Sequence, residues 1–568
     1  MKNILLAFVF ALSVLSACLS AEDRTGRPNV VVVITDDQGY GDLAVHGNKI
    51  IQTPKMDRLH DESVRFTQFH VDPTCAPTRA ALMTGRYATR VGVWHTVLGR
   101  SILRKNEVVM PQLFAEAGYR TGLFGKWHLG DNYPYRPHDR GFHEAFYHHG
   151  GGLCQSADYW GNDYFDDTYY RNGVQEKATG YCTDVWFDNA IDFVKRNHEK
   201  PFFLYVATNA PHQPLLVDEK YWKPYAEKGM PENLARFYGM ITNIDENLDR
   251  LDKTLHDLGV AENTIFIFMT DNGSAENGFN AEMRGRKGTP YDGGHRVPFF
   301  VRWPKGNFGR PRDIETLAAH LDVLPTLIDV CGLKKPTQVE FDGTSLLPLL
   351  TSTEPPKDWP DRGIGLEVNR EGLPRPWFRS AFMTQRWRLV EGGELYDIQA
   401  DPAQKNDLAA KYPEIVEELK KRYMERWPQV MEDARQWARI PISSPNANPV
   451  CLCVHDMVGD KNPPPYLEYI EGYTSNGRWP VDVEQAGKYR FRLRTYPEES
   501  QKPSRVTHAA LNVRDQRLEK TFEPGQDVPE VVFDIELDAG PAWIETELDD
   551  QTKGIYRAAF YVYVERIE

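Results

Sequence analysis

NVVVVITDDQG, residues 29–39, is the stretch whose reading decides the fold. Asn29 through Thr35 is an unbroken, mostly β-branched run, which suits a strand buried on both faces. It passes directly into Asp36-Asp37-Gln38-Gly39. The pattern recurs at TIFIFMT, 264–270, which ends in Asp271-Asn272-Gly273, and at Pro201 to Thr208, which leads into Asn209-Ala210-Pro211-His212. Helical patterns alternate with these strands over Trp186–Arg196, Leu234–Leu258 and His320–Cys331. Strand-helix alternation predicts an α/β protein with a large, mostly parallel sheet flanked by helices. In such sheets the ligand crevice lies beyond the carboxyl ends of the strands. All three polar clusters fall there.

A chain of 568 residues exceeds one hydrophobic core, so several domains are expected. Residues 24–355 read as the α/β domain. A smaller α+β subdomain over 356–439 follows, in which Val416, Leu419, Tyr423 and Trp427 share a helical face. The Pro/Ser/Asn-rich stretch 440–449 reads as a linker. Beyond it Tyr489, Phe491 and Leu493 alternate with Arg490, Arg492 and Arg494, and Phe533, Ile535 and Leu537 with Asp534, Glu536 and Asp538. That alternation predicts a β-sandwich over 450–568. The arginine row reads as a solvated strand face, with contact to an anionic chain as the alternative.

Composition is that of a soluble globular protein, 41% hydrophobic and 26% charged. The formal net charge of −14 gives no support to nucleic-acid binding. Residues 1–18 carry one Lys, an apolar run from Ile4 to Leu15 and then small residues, a secretory signal too short to span a membrane. Leu15-Ser16-Ala17-Cys18 fits a bacterial lipobox with Cys18 lipidated, and a plain cleavage site near Ala21 is the alternative. Either reading exports the protein to the periplasm or cell surface, and the first makes a lipid anchor its sole membrane attachment. Export permits a disulfide between Cys154 and Cys182; the state of Cys451 and Cys453 stays open.

Four oxygen-bearing groups, Asp36, Asp37, Asp271 and Asn272, follow two buried strands and suit a hard cation such as Ca²⁺ or Mg²⁺. Singly, each acidic pair is an ordinary turn. Basic groups gather in other motifs: Lys126 and His128 in Phe124–Gly130, His212, and Arg284, Arg286 and Lys287 on a glycine-rich turn. CAPTRAALMTGR, 75–86, reads as a short helix with Pro77 at its first position and Gly85 past its end, which puts Cys75 and Arg79 near a helix N-terminus. A basic cluster, a helix N-terminus and a candidate cation in an acidic chain together describe a site for a tetrahedral oxyanion.

At these motifs the sequence resembles the type I, formylglycine-dependent sulfatases of the alkaline-phosphatase-like superfamily. Cys75-Ala76-Pro77-Thr78-Arg79 matches their Cys-x-Pro-x-Arg signature, and Thr84-Gly85-Arg86, Gly125–Gly130, Ala210-Pro211-His212, Thr270–Gly273 and Lys287-Gly288 follow in order. The match runs over roughly residues 28 to 430, Glu394–Asp397 included.

The resemblance implies that Cys75 is oxidised to formylglycine by a formylglycine-generating or anaerobic maturation enzyme. A hydroxyl of the aldehyde hydrate then attacks the ester sulfur, giving a covalent sulfo-enzyme, and the second hydroxyl expels sulfate. It implies one Ca²⁺ on Asp36, Asp37, Asp271, Asn272 and the modified Cys75. Arg79 and Lys126 would steady the hydrate, and Lys126 and Lys287 would neutralise sulfate oxygens. His212, with Lys287, would protonate the leaving alcohol, and His128 would deprotonate the second hydroxyl. Arg90, His95, Trp160, Arg284 and His295 are the candidate substrate-binding residues. The expected activity is sulfate-ester hydrolysis on a sulfated poly- or oligosaccharide during polysaccharide degradation. The alternatives are a phosphate or phosphonate ester hydrolase and a non-catalytic, glycan-binding lipoprotein.

Overall fold

The computed structural model describes residues 26–306, 308–369, 372–459 and 461–568; the segment read as an export signal, with Cys18, lies outside them. Ten strands form the main sheet: β1 (Asn29–Thr35), β2 (Val64–Phe66), β3 (Arg120–Lys126), β4 (Glu144–His148), β5 (Thr168–Arg171), β6 (Val174–Lys177), β7 (Phe202–Ala207), β8 (Thr264–Thr270), β9 (Phe299–Arg302) and β10 (Arg312–Ile314). Their spatial order is β10-β2-β9-β8-β1-β7-β3-β4-β5-β6. The central strands β8, β1, β7, β3 and β4 are mutually parallel, and β9 and β5 run antiparallel on either side.

The β-branched run of β1 behaves as its composition demands. Val30, Val32 and Ile34 pack into the core on one face of the sheet, Val31 and Val33 into the core on the other. Fully burying each such side chain is worth about 1.5–3 kcal/mol. Thr35 pairs with Thr270 and Ile34 with Ala207, so the residues after β1, β7 and β8 leave the sheet side by side. Gly125 of β3 is required there, because a Cβ at its φ of 111° would lie 2.0 Å from the Ala207 carbonyl oxygen.

Helices α1 (Cys75–Thr84), α2 (Cys182–Asn197), α3 (Glu232–Asp257) and α4 (Val323–Cys331) cover the sheet. On α3, Ile241, Ile244, Leu248, Leu251 and Leu255 are buried at helical spacing. Two expectations need correction. Helix α1 starts at Cys75, so Pro77 is its third residue; the first-turn N–H groups have no intrahelical acceptor, and proline loses nothing there. Cys154 and Cys182 are free thiols. Cys154 donates to the Asn162 carbonyl (3.1 Å), whereas Cys182 lies beside Asn209 (3.7 Å).

The α+β region that follows has a four-stranded antiparallel sheet, Ile364–Glu367, Ser380–Met383, Trp387–Val390 and Glu394–Asp397, packed against the helix Pro413–Met424. Farther along, two antiparallel-rich sheets of six and four strands enclose a core that includes Trp479, Phe491 and Val562. Stretch 440–449 is not a free connector. Ile440–Ile442 is a buried strand paired with Gly477–Val483, because its alternate apolar residues complete the sandwich core. Ile102 and Tyr135 of the α/β domain join that core, and the Tyr135 hydroxyl donates to the Arg439 carbonyl (2.6 Å). The arginine row is internally paired: Arg490 with Asp534, Arg492 with Glu530.

Candidate active site

Everything chemical gathers at the carboxyl ends of β1, β3, β7 and β8. Ligand atoms of Asp36, Cys75 and Asp271 lie within 4.8 Å of one another, all buried. Asp37 joins them through its backbone N–H, which donates to Asp271 Oδ1 (3.1 Å), and through its Oδ1, which accepts from Asn272 Nδ2 (3.0 Å). Asp37 takes φ = 71°, a conformation aspartate tolerates better than most residues. Two oxygens of this group, Asp36 Oδ1 and Asn272 Oδ1, are buried without a hydrogen-bond partner among the described residues. A buried acceptor left unpaired is costly. Four hard oxygen donors with two orphaned oxygens fit a hard divalent cation.

The carboxylates are tied to cations of the chain. Arg79 donates to Asp271 Oδ2 through Nε (3.2 Å) and Nη2 (2.9 Å), and its Nη1 reaches the Lys126 carbonyl (3.1 Å). Lys126 Nζ donates to Asp36 Oδ2 (2.6 Å) with no exposed surface. Lys287 Nζ sits 2.5 Å from Asp37 Oδ1, and His212 Nε2 lies 3.9 Å from Asp37 Oδ2. Burial alone would raise the Asp37 carboxyl, but Lys287, His212 and Asn272 hold it well below the usual carboxylate range. Asp271 is pushed up to about 7 by burial and by Asp36, against the pull of Arg79 and Lys126.

Cys75 opens α1 and faces the same cluster. Burial raises its thiol, outweighing Lys126 and Lys287. The helix N-terminus therefore does not deliver a ready thiolate. His212 is held neutral, at about 4, by burial and by Lys287. Its Nδ1 donates to the Gln213 carbonyl (2.7 Å), leaving Nε2 toward the pocket. His128, at φ = 60°, is pushed well below its ordinary value by burial, Lys126 and His455. Its Nε2 donates to the Thr96 carbonyl (2.9 Å), so Nδ1 carries the lone pair, and that atom is buried without a partner among the described residues.

These groups open on a cavity of about 400 Å³ whose walls include Asp37, Cys75, His128, His212 and Lys287. Of the candidate substrate-binding residues, His95 lines it. The other four do not, each for a visible reason. Arg90 is drawn away by Asp342 and Asp433. Arg284 is taken by Tyr396, Tyr291 and Glu394. His295 is fully buried against His70 Nδ1 (2.9 Å) beside the Asp292–Arg388 ion pair. Trp160 lies in an adjoining cleft of about 870 Å³ that shares Gln213 and Tyr466 with the cavity. Sequence reasoning missed Gln155, His455 and Tyr466, which also line the cavity. The last two come from beyond residue 450 and carry no motif; only the fold brings them in.

A parallel sheet that presents carboxylates, lysines and imidazoles around one helix N-terminus belongs to the class of α/β proteins built to hold a tetrahedral oxyanion beside a cation. A family model described as Sulfatase matches residues 28–333, and one described as N-sulphoglucosamine sulphohydrolase, C-terminal, matches 286–429. The chain belongs to the sulfatase family and is a sulfuric ester hydrolase. It is 30% identical over 374 residues to N-acetylgalactosamine-6-sulfatase of Rattus norvegicus, spanning 60% of this chain and 69% of the relative. It is 31% identical over 439 residues to arylsulfatase A of Homo sapiens, spanning 69% and 82%. Among solved structures it is similar to Ps i-CgsB in complex with k-i-k-neocarrahexaose, with a TM-score of 0.66, 28% identity, and coverage of 73% of this chain and 95% of that one.

Proposed function

We propose that the protein removes sulfate from a sulfated poly- or oligosaccharide, with Cys75 converted to formylglycine as the reacting group. The observation that supports this most directly is the meeting of Asp36, Cys75 and Asp271 within 4.8 Å, on a cavity shared with Lys287, His128 and His212. The glycan reading rests on relatives whose names specify a sulfated sugar and on a neighbour solved with a neocarrahexaose. Export, with Cys18 as a lipid anchor, and dependence on a maturation enzyme belong to the same proposal. No helix among the described residues is long and apolar enough to cross a membrane.

Asp36, Asp37, Asp271 and Asn272 would hold Ca²⁺, which supplies charge for a sulfate oxygen and acidifies a nearby hydroxyl. Formylglycine, as its hydrate, supplies one hydroxyl to attack sulfur and a second whose loss of a proton releases sulfate. The chain does the rest. Arg79 and Lys126 fix the Asp271 and Asp36 carboxylates, so the cation ligands need no reorganisation. Lys287, on the cavity wall beside Asp37, offers its remaining N–H bonds to sulfate oxygens. An arriving sulfate ester brings negative charge beside His212, raises the proton affinity of Nε2 and lets it protonate the departing alcohol. His128 is neutral with its Nδ1 lone pair free, the state a base needs to take the second hydroxyl's proton.

Turnover of the sulfate and the phosphate ester of one alcohol tests this reading. Faster sulfate release supports it, and faster phosphate release contradicts it.

A further inference from the structure

The C-terminal sandwich lies beyond both matched family regions, which end at residues 333 and 429, yet it reaches the active-site cavity. Strand Val450–Cys453 runs into a short turn, Val454–Asp456, and the sandwich is pinned to the α/β domain through this turn and through Tyr561. The Leu98 N–H donates to the His455 carbonyl (2.9 Å). The Tyr561 hydroxyl donates to the Ser156 carbonyl (2.6 Å). The sandwich is therefore joined to two segments of the cavity wall, that after His95 and that of Gly150–Ser156. Gly151 sits close against the reacting groups, since an added Cβ would lie 2.7 Å from His128, and one at Gly152 would lie 3.2 Å from His212.

His455 itself is 3% exposed and lines the cavity. Its Nδ1 is engaged by Asp456 Oδ1 (3.1 Å). Its Nε2 is buried and has no hydrogen-bond partner among the described residues. Its ring stands 5.8 Å from that of His128, so it borders the reacting end of the cavity without belonging to the cation cluster. The next wall is also the sandwich's: Asn462 to Tyr466, with Pro463, Pro464 and Pro465 in a row, and proline fixes φ. Tyr466 and Gln213 then connect the cavity to the cleft of Trp160, Tyr496 and Lys502. A buried imidazole nitrogen is left unpaired only at a cost. A ligand oxygen at Nε2 would remove that cost.

We propose that His455 is a substrate-binding residue: its Nε2 hydrogen-bonds an oxygen of the sugar that carries the sulfate ester, so that the sandwich reads the alcohol half of the substrate while the α/β domain holds the sulfate half. This rests on the sulfated-sugar reading above. Asp456 and Asp131 beside the ring raise its proton affinity against burial, which favours donation from Nε2.

The test is calorimetric binding to protein carrying Cys75→Ala, which cannot turn over, with inorganic sulfate and with N-acetylgalactosamine 6-sulfate, galactose 6-sulfate and a neocarra-oligosaccharide as probes. Adding His455→Ala should weaken the best-binding sulfated sugar at least tenfold and inorganic sulfate less than twofold. His455→Gln, which keeps a polar group in reach, should recover part of the loss. Arg490→Ala, on the far strand face, serves as the control and should change neither. Equal loss for sugar and ion would show that His455 supports the anion site or the fold, and overturns the proposal. So does unchanged sugar affinity, or a parent protein that binds no sugar more tightly than inorganic sulfate. Selective loss of sugar binding in a protein that releases no sulfate from any ester would sink the proposed function and leave this inference standing.

Discussion

Arg79 and Asp271 form a fully buried pair in which two guanidinium hydrogen bonds, with N···O distances of 3.2 and 2.9 Å, converge on a single carboxylate oxygen. The other Asp271 oxygen accepts the Asp37 N–H, so Arg79 sets the orientation of a carboxylate proposed to hold the cation. Removing one partner of a buried pair leaves an uncompensated charge, at a cost of about 3–5 kcal/mol. Arg79→Ala should therefore lower the thermal midpoint by several degrees and reduce sulfate release more than tenfold. Arg79→Lys keeps charge but loses the paired donors, and should fall between. Wild-type stability in Arg79→Ala would contradict this assignment.

If Asp36 and Asn272 hold the proposed cation through their orphaned oxygens, stability should depend on it. A ligand that binds only the folded state stabilises it by mass action. Treatment with EGTA should lower the midpoint and abolish activity. Added Ca²⁺ should restore both, and do so better than Mg²⁺, which demands a tighter octahedral shell. Asp36→Asn should lose the Ca²⁺-dependent shift. A midpoint insensitive to chelation in wild type would count against the cation reading.

Asp245, on α3, gives a pH signature independent of the active site. Its carboxylate accepts the backbone N–H groups of Lys55 (3.0 Å) and Met56 (2.7 Å) at the start of the helix Pro54–Asp61, and burial pushes it up to about 7. The unfolded carboxyl ionises near 4, so between these values the folded state binds more protons. Stability then falls as pH rises, by up to about 1.4 kcal/mol per pH unit for this group. Asp245→Asn removes that slope, so its midpoint relative to wild type should be higher at pH 8 than at pH 5. A difference constant with pH would show that the carboxyl is not perturbed.

Gly273 tests how tightly the loop behind the cation cluster is built. A Cβ there would lie 2.0 Å from the Gly293 carbonyl oxygen, and backbone cannot swing aside as a side chain can. Gly273→Ala should cost about 1–3 kcal/mol, with a loss of Ca²⁺ affinity because Asn272 moves with it. Unchanged melting and Ca²⁺ affinity would contradict the packing argument.

The parts of the site legible in the sequence are those fixed by local pattern. Val30–Ile34 announces a strand buried on both faces, and its end dictates where Asp36 and Asp37 emerge. Lys126 and His212 are legible for the same reason. What escaped depends on tertiary competition for charge. Arg90, Arg284 and His295 are basic residues near motif positions, yet Asp342, Glu394 and the Asp292–Arg388 pair claim or enclose them, and of those partners only Asp292 is close in sequence to the residue it faces. His455 is the converse case, a histidine outside every motif that docking of the sandwich carries into the cavity. The strand in Ile440–Ile442 was hidden by its Pro/Ser-rich surroundings, because three apolar residues declare a strand only once a sheet edge is there to receive them.

The central claim concerns what occupies position 75. Burial raises the Cys75 thiol, which disfavours a thiolate nucleophile there, and the proposed reacting group is formylglycine made from Cys75. Mass spectrometry of the peptide spanning Cys75, taken from protein of measured sulfate-ester turnover, addresses this directly. The account predicts a sulfur-free residue that reacts as an aldehyde, with activity rising in proportion to its fraction and vanishing in Cys75→Ala. Full activity in protein whose residue 75 is wholly the unmodified thiol would contradict it.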